Sequence, residues 1–127
     1  MVVGIGTDIF EVKRIKERIT KEPSFIKGIY TENEITYCEK LRFKEQHYAA
    51  RYAAKEAFLK AIGTGWRNGI KFNEIEILND ELGKPEIKLT GKAREIVKSI
   101  KGDSVHISLS HTKDLAIAFI IINNDQI

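Results

Sequence analysis

From Lys44 to Ile62 the chain runs without a glycine or a proline, through alanines and other good helix formers. Such a stretch is expected to fold as one long helix, because no residue in it removes a backbone donor or adds glycine's backbone entropy. Tyr48, Tyr52, Phe58 and Ile62, with the alanines between them, give the helix a mostly apolar face. Gly63 is a natural stop, since glycine adopts the left-handed capping conformation without strain.

Shorter elements flank this helix. Val2 to Ile9 is β-branched and reads as a strand. Val12, Ile15 and Ile19 then fall at helical spacing, so Glu11 to Thr20 is expected to be a helix that Glu22-Pro23-Ser24 breaks. Phe25 to Tyr30 is ambiguous. Thr31 with Glu34 forms a capping-box pattern ahead of a helix from Glu32 to about Lys40. Phe72 to Leu78 alternates as a strand, Asn79 to Pro85 is a turn, Ile87 to Leu89 is a short strand, and Thr90 caps a helix from Gly91 to about Ile100. Val105, Ile107 and Leu109 alternate with His106, Ser108 and Ser110, and Leu115 to Ile122 is the strongest strand pattern. These last two strands form a hairpin pattern around His111 to Asp114. Without a regular βαβ repeat the class is α+β: a compact subunit with a small, mostly antiparallel sheet and one long helix.

The 127 residues suit a single domain, 1–127, and 43% hydrophobic with 31% charged residues is the composition of a soluble globular chain. A net charge of +3 does not demand a nucleic-acid partner. Cys38 is the only cysteine, so no intrachain disulfide forms, which suits a reducing compartment. The start, MVVGIGTDIF, lacks the basic region of a signal peptide, and no apolar run approaches the roughly 20 residues that span a bilayer. A cytoplasmic location is expected.

The candidate chemistry is sparse. Asp8 follows two glycines and a threonine near the end of the first strand. It is first a helix cap, a role aspartate favours, and second a metal ligand. Glu56 and Lys60 form an i, i+4 pair in the favoured order, common on helix surfaces. Ala53, Ala54, Ala57 and Ala61 around them would let another backbone or a ligand come close, and Gly63-Thr64-Gly65 offers amides to a phosphate. His111 at the edge of the hairpin loop is expected to be exposed. The chain has no Gly-x-Ser-x-Gly elbow, zinc spacing or P-loop. Arg14, Arg18 and Lys21 share one face of the first helix, with Lys13 and Lys16 nearby and Glu11 and Glu17 interrupting. That face is either solvated or a dock for an acidic partner.

Three blocks in order, "GIGTDIFEVKRI" (residues 4–15), "RYAAKEAFLKAIGTG" (51–65) and "ISLSHTKDLAIAFII" (107–121), resemble the short bacterial type of 4′-phosphopantetheinyl transferase, the holo-acyl-carrier-protein synthases. "LGKPEIKLTGKA" (82–93) supports them as the linking segment. Tyr52 stands where Phe is usual and Leu115 where an aromatic is common.

The resemblance implies transfer of the phosphopantetheine arm of coenzyme A to a serine of acyl carrier protein, in support of fatty acid biosynthesis. Adenosine 3′,5′-bisphosphate is released. It implies Asp8 and Glu56 as Mg²⁺ ligands and Glu56 and Lys60 as catalytic groups, Glu56 serving as base directly or through a metal-bound water. It further implies Arg51, Lys60, Gly63, Gly65 and His111 as coenzyme A contacts, and Arg14, Arg18 and Lys21 as the carrier-protein dock. A homotrimer with sites between subunits is expected, with neither nucleic acid nor membrane as a partner. Rival classes are another Mg²⁺-dependent phosphate enzyme, which usually needs more clustered carboxylates, and a binding module, which leaves Asp8, Glu56 and His111 without a role.

Overall fold

The computed structural model of the chain describes residues 1–63 and 69–126. Its elements run β1 (Val2–Glu11), α1 (Val12–Lys21), α2 (Phe25–Ile29), α3 (Glu32–Glu39), α4 (Lys44–Ile62), β2 (Ile75–Asn79), β3 (Pro85–Leu89), α5 (Gly91–Ser99), β4 (Ser104–His111) and β5 (Leu115–Asn123). Both sheets among the described residues are antiparallel: β1-β5-β4, with the last strand in the middle, and the hairpin β2-β3. The α+β class and the long helix are as the sequence reads.

α4 crosses the inner face of the larger sheet. The two-residue period of β5 puts Ala116, Ala118, Ile120 and Ile122 inside and leaves Leu115, Phe119 and Ile121 on the outer face. On α4, Ala53, Ala54, Ala57 and Ala61 are all buried. Their smallness serves β1. A Cβ on Gly6 would collide with the Ala57 carbonyl oxygen and lie 2.8 Å from the Ala61 nitrogen, and one on Gly4 would meet the Ala61 carbonyl. Small residues on both sides let the two backbones touch, and this sets Asp8 against α4.

A second clamp works on the other side of α4. The buried Lys55 ammonium donates to Glu34 Oε1 at 2.8 Å, to the Phe72 carbonyl at 3.0 Å and to the Ile75 carbonyl at 2.5 Å. Glu34 Oε2 accepts the Ile77 N–H at 3.1 Å, while Oε1 also closes the capping box by accepting the Thr31 N–H at 3.0 Å. All three ammonium donors are satisfied, the condition for a charge to sit in a core. Burial still pushes the Lys55 pKa down, and Glu34 opposes that.

Several sequence expectations shift. β1 runs on to Glu11 because its pairing with β5 continues through Phe10↔Ala116 and Glu11↔Leu115. Asp8 is therefore inside a strand and is not a helix cap; Glu11 holds the N-cap position of α1, with no side-chain cap bond. Phe72–Glu74 is a 3-10 turn instead of the start of a strand, closed where Glu74 Oε1 accepts the Lys71 N–H. β3 begins at Pro85, earlier than expected, and the ambiguous segment is the short helix α2. Thr90 precedes α5 without making a side-chain cap bond.

Candidate active site

Asp8 on β1 and Glu56 and Lys60 on α4 form one cluster. Lys60 Nζ donates to Asp8 Oδ1 at 3.0 Å; the Asp8 side chain is 15% exposed and that of Lys60 57%. The ion pair thus bridges strand and helix, where the sequence suggested a local pair with Glu56. Glu56 is half-buried, and burial raises its pKa above the usual carboxylate value; the Tyr52 hydroxyl, hydrogen-bonded to it, opposes that, the Asp8 charge adds to it, and Lys60 opposes it. Tyr52 itself is pushed up to about 12 by burial and by Glu56. Its ring packs 4.6 Å from Phe10 and 5.4 Å from Phe72, centroid to centroid, so the hydroxyl is held beside Glu56. Tyr52 is a site residue that the sequence reading treated as core; its i, i+4 spacing to Glu56 was the available signal.

This donor set can be matched to a cation. Two carboxylates from opposed elements offer hard oxygens. Among the described residues no group of three or more His, Cys, Asp or Glu is placed to hold a metal. Mg²⁺ takes one or two carboxylates and completes its octahedron with phosphates and water, so two such side chains are enough to hold it.

A second pocket lies at the other end of α4. It has a volume of about 190 Å³ and is lined by Tyr37, His47, Arg51, Asn79, Pro85 and His111, among others. Arg51 is buried, stacks 4.3 Å over the Tyr37 ring and donates from one terminal nitrogen to Asn79 Oδ1. Arg51 Nε is buried and has no hydrogen-bond partner among the described residues. The exposed His111 ring meets His47 edge to face at 5.1 Å. Burial, then the charges of His111 and Arg51, lower the His47 pKa. His47 carried no local signal in the sequence. The pocket gathers cationic and imidazole groups suited to an anion. Within one chain it is separate from Lys60, because the stretch of α4 from His47 to Lys60 spans roughly 20 Å.

Gly63 caps α4 in the left-handed conformation, φ 77°, with its N–H directed at the Leu59 and Lys60 carbonyls. Gly65 and Thr64 lie outside the described residues. On α1, Arg14 stacks 4.7 Å over Phe10, and Arg18 stacks 4.8 Å over Phe25 and pairs with Glu22 at 3.4 Å. Arg14 and Arg18 line a groove of about 360 Å³ with Phe10, Phe25 and Tyr52, which reaches the side of the Glu56 cluster. Lys21 lines a neighbouring groove with Lys13, Lys16 and Glu17.

Comparison with known proteins points the same way. Residues 4–120 match the model of the 4′-phosphopantetheinyl transferase superfamily. The chain is 47% identical over its full length to the full-length holo-[acyl-carrier-protein] synthase of Clostridium tetani. Among solved structures it is similar to the holo-[acyl-carrier-protein] synthase of Neisseria meningitidis, at TM-score 0.87 and 37% identity over 97% of this chain and 99% of that one. It is also similar to that of Bacillus anthracis in complex with CoA (3′,5′-ADP), at TM-score 0.79 and 37% identity over 96% of each chain.

Proposed function

We infer the reaction from one premise: the chain belongs to the 4′-phosphopantetheinyl transferase superfamily and is an enzyme of the holo-[acyl-carrier-protein] synthase kind. It transfers the 4′-phosphopantetheine arm of coenzyme A to a serine of apo-acyl carrier protein, with Mg²⁺, and releases adenosine 3′,5′-bisphosphate. The single observation that carries the site assignment is the meeting of Asp8, Glu56 and Lys60 where β1 touches α4.

In this reading Asp8 and Glu56 hold the cation. When bound, Mg²⁺ would neutralise charge on the diphosphate. The serine oxygen forms a bond to the β-phosphorus, and the bond from that phosphorus to the bridging oxygen breaks. Glu56 accepts the serine proton. Lys60, more than half exposed, neutralises phosphate oxygens. Arg51 and His111 hold an anionic part of coenzyme A, which the unpartnered Arg51 Nε supports. Gly63 and Gly65 let the coenzyme approach the end of α4.

We read one coenzyme as contacted by two copies of the chain, in a homotrimer with sites between subunits; within one chain Arg51 and Lys60 stand about 14 Å apart along α4. The outer face of β1 and β5 supports that assembly: Ile5 (66% exposed), Ile9 (59%) and Phe119 (47%) lie uncovered on paired strands. Arg14, Arg18 and Lys21 receive the acidic carrier protein. The enzyme works as one domain, 1–127, in the cytoplasm and serves fatty acid biosynthesis. Its one cysteine is buried, and among the described residues no helix is long and apolar enough to cross a membrane.

The test is direct. Incubation with coenzyme A, Mg²⁺ and apo-carrier protein should add the mass of one phosphopantetheine to the carrier at a single serine. An unchanged carrier mass, with a competent control enzyme in parallel, overturns the reading.

A further inference from the structure

Lys60 is bonded to the residue that a cation would need. Its ammonium stands 3.0 Å from Asp8 Oδ1, on a side chain more than half exposed, while the Asp8 side chain is largely enclosed. Glu56 lies close enough to feel both charges. Two carboxylates brought together by the Gly6–Ala57 contact would repel each other without a positive charge between them, and in the chain alone Lys60 supplies it. A divalent ion approaching Asp8 therefore meets an ammonium already in place. That ammonium exchanges one anionic partner for another only when a second anion is offered.

We propose that Lys60 is a displaceable counter-ion, which weakens cation binding at Asp8 and Glu56 until an anionic diphosphate ligand is offered. The diphosphate does two things at once. It gives the Lys60 ammonium new oxygen partners, and it supplies oxygen ligands that complete the coordination of a hard cation. Cation and diphosphate then bind cooperatively, and each tightens the other by the same factor. The inference rests on Asp8 and Glu56 being the cation ligands, so its test separates the two ideas.

Mn²⁺ serves as the probe, its binding read from the loss of the free-ion electron paramagnetic resonance signal. Wild type, Lys60→Met and Asp8→Asn are titrated with and without coenzyme A. The exposed Lys60 side chain makes Lys60→Met safe for folding. Without coenzyme A, Lys60→Met should bind Mn²⁺ about five-fold tighter than wild type, the scale of a solvent-accessible ion pair. Coenzyme A should tighten Mn²⁺ binding to wild type by a larger factor than to Lys60→Met. Equal Mn²⁺ affinities of wild type and Lys60→Met without coenzyme A, with Asp8→Asn weakened, overturn the counter-ion role and leave the ligand assignment standing. Asp8→Asn binding Mn²⁺ as tightly as wild type in both conditions overturns the ligand assignment, and the proposal with it.

Discussion

Gly6 on β1 faces the carbonyl oxygen of Ala57 on α4 with no room for a methyl group between them. Gly6→Ala should therefore push the strand away from the helix, at an overpacking cost of about 1–3 kcal/mol. Because Asp8 is two residues along the same strand, transfer activity should fall further than stability does. Urea denaturation and a carrier-modification assay on the same preparation check this. Full activity together with lost stability would detach the cluster from the contact.

Asp8→Asn and Glu56→Gln should each nearly abolish transfer, since both remove a charge that holds a hard cation. Their effects on stability should differ. The folded-state pKa of Glu56 lies above its unfolded value, so its contribution is fully present below the unfolded pKa and is lost as pH rises through the folded pKa. At pH 7 the ionised group is a small burden, lightened by solvent because Glu56 is only half-buried. Glu56→Gln should thus raise the thermal midpoint at pH 7 by about 1–3 °C, with the gap closing near pH 4. Thermal melts at both pH values test the sign.

Lys55 and Glu34 make the other testable pair. Lys55→Met leaves a buried carboxylate without its cation and should cost about 3–5 kcal/mol by urea denaturation. Pairing it with Glu34→Leu should recover part of that loss, because the members of a buried pair are not additive. A double variant as unstable as the sum of the singles would refute the coupling.

Assembly should depend on the outer sheet face. Phe119→Glu puts a charge on an apolar surface shared with Ile5 and Ile9. Sedimentation velocity should show trimers of the wild type replaced by monomers, with transfer lost. A wild-type monomer with full activity would exclude a shared site.

Arg14→Glu should raise the apparent KM for the carrier several-fold and leave coenzyme A affinity nearly unchanged, since exposed charges act on encounter and register. Salt should weaken carrier binding to wild type more than to the variant. Its stack on Phe10 couples Arg14 to the strand that carries Asp8, so Arg14→Gln serves as a milder control.

What the sequence disclosed was local. The bounds of α4 were legible because Gly63 ends a run without Gly or Pro, and the capping box of Thr31 and Glu34 forms as its spacing suggested. Local position alone favoured a cap over a metal ligand for Asp8, because its place is decided by pairing with Ala118, far along the chain. Lys60 has its local neighbour Glu56 four residues away, yet it reaches Asp8, across a contact that only packing creates. Glu34 showed one role in the sequence, closing a helix end, and has a second in anchoring Lys55. The meeting of His47 with His111 is likewise non-local.

The strand that carries Asp8 is synthesised well before its partner β5, with Asp8 opposite Ala118. Pairing over so long a separation is slow, because chain entropy is lost before the contact returns anything. Until β5 is made, β1 has an unpaired edge beside the growing chain. Deleting the last strand would remove no residue of the Asp8–Glu56–Lys60 cluster. It would nevertheless leave β1 without a neighbour to fix its register, so a chain cut before β5 should keep all three residues and lose the site.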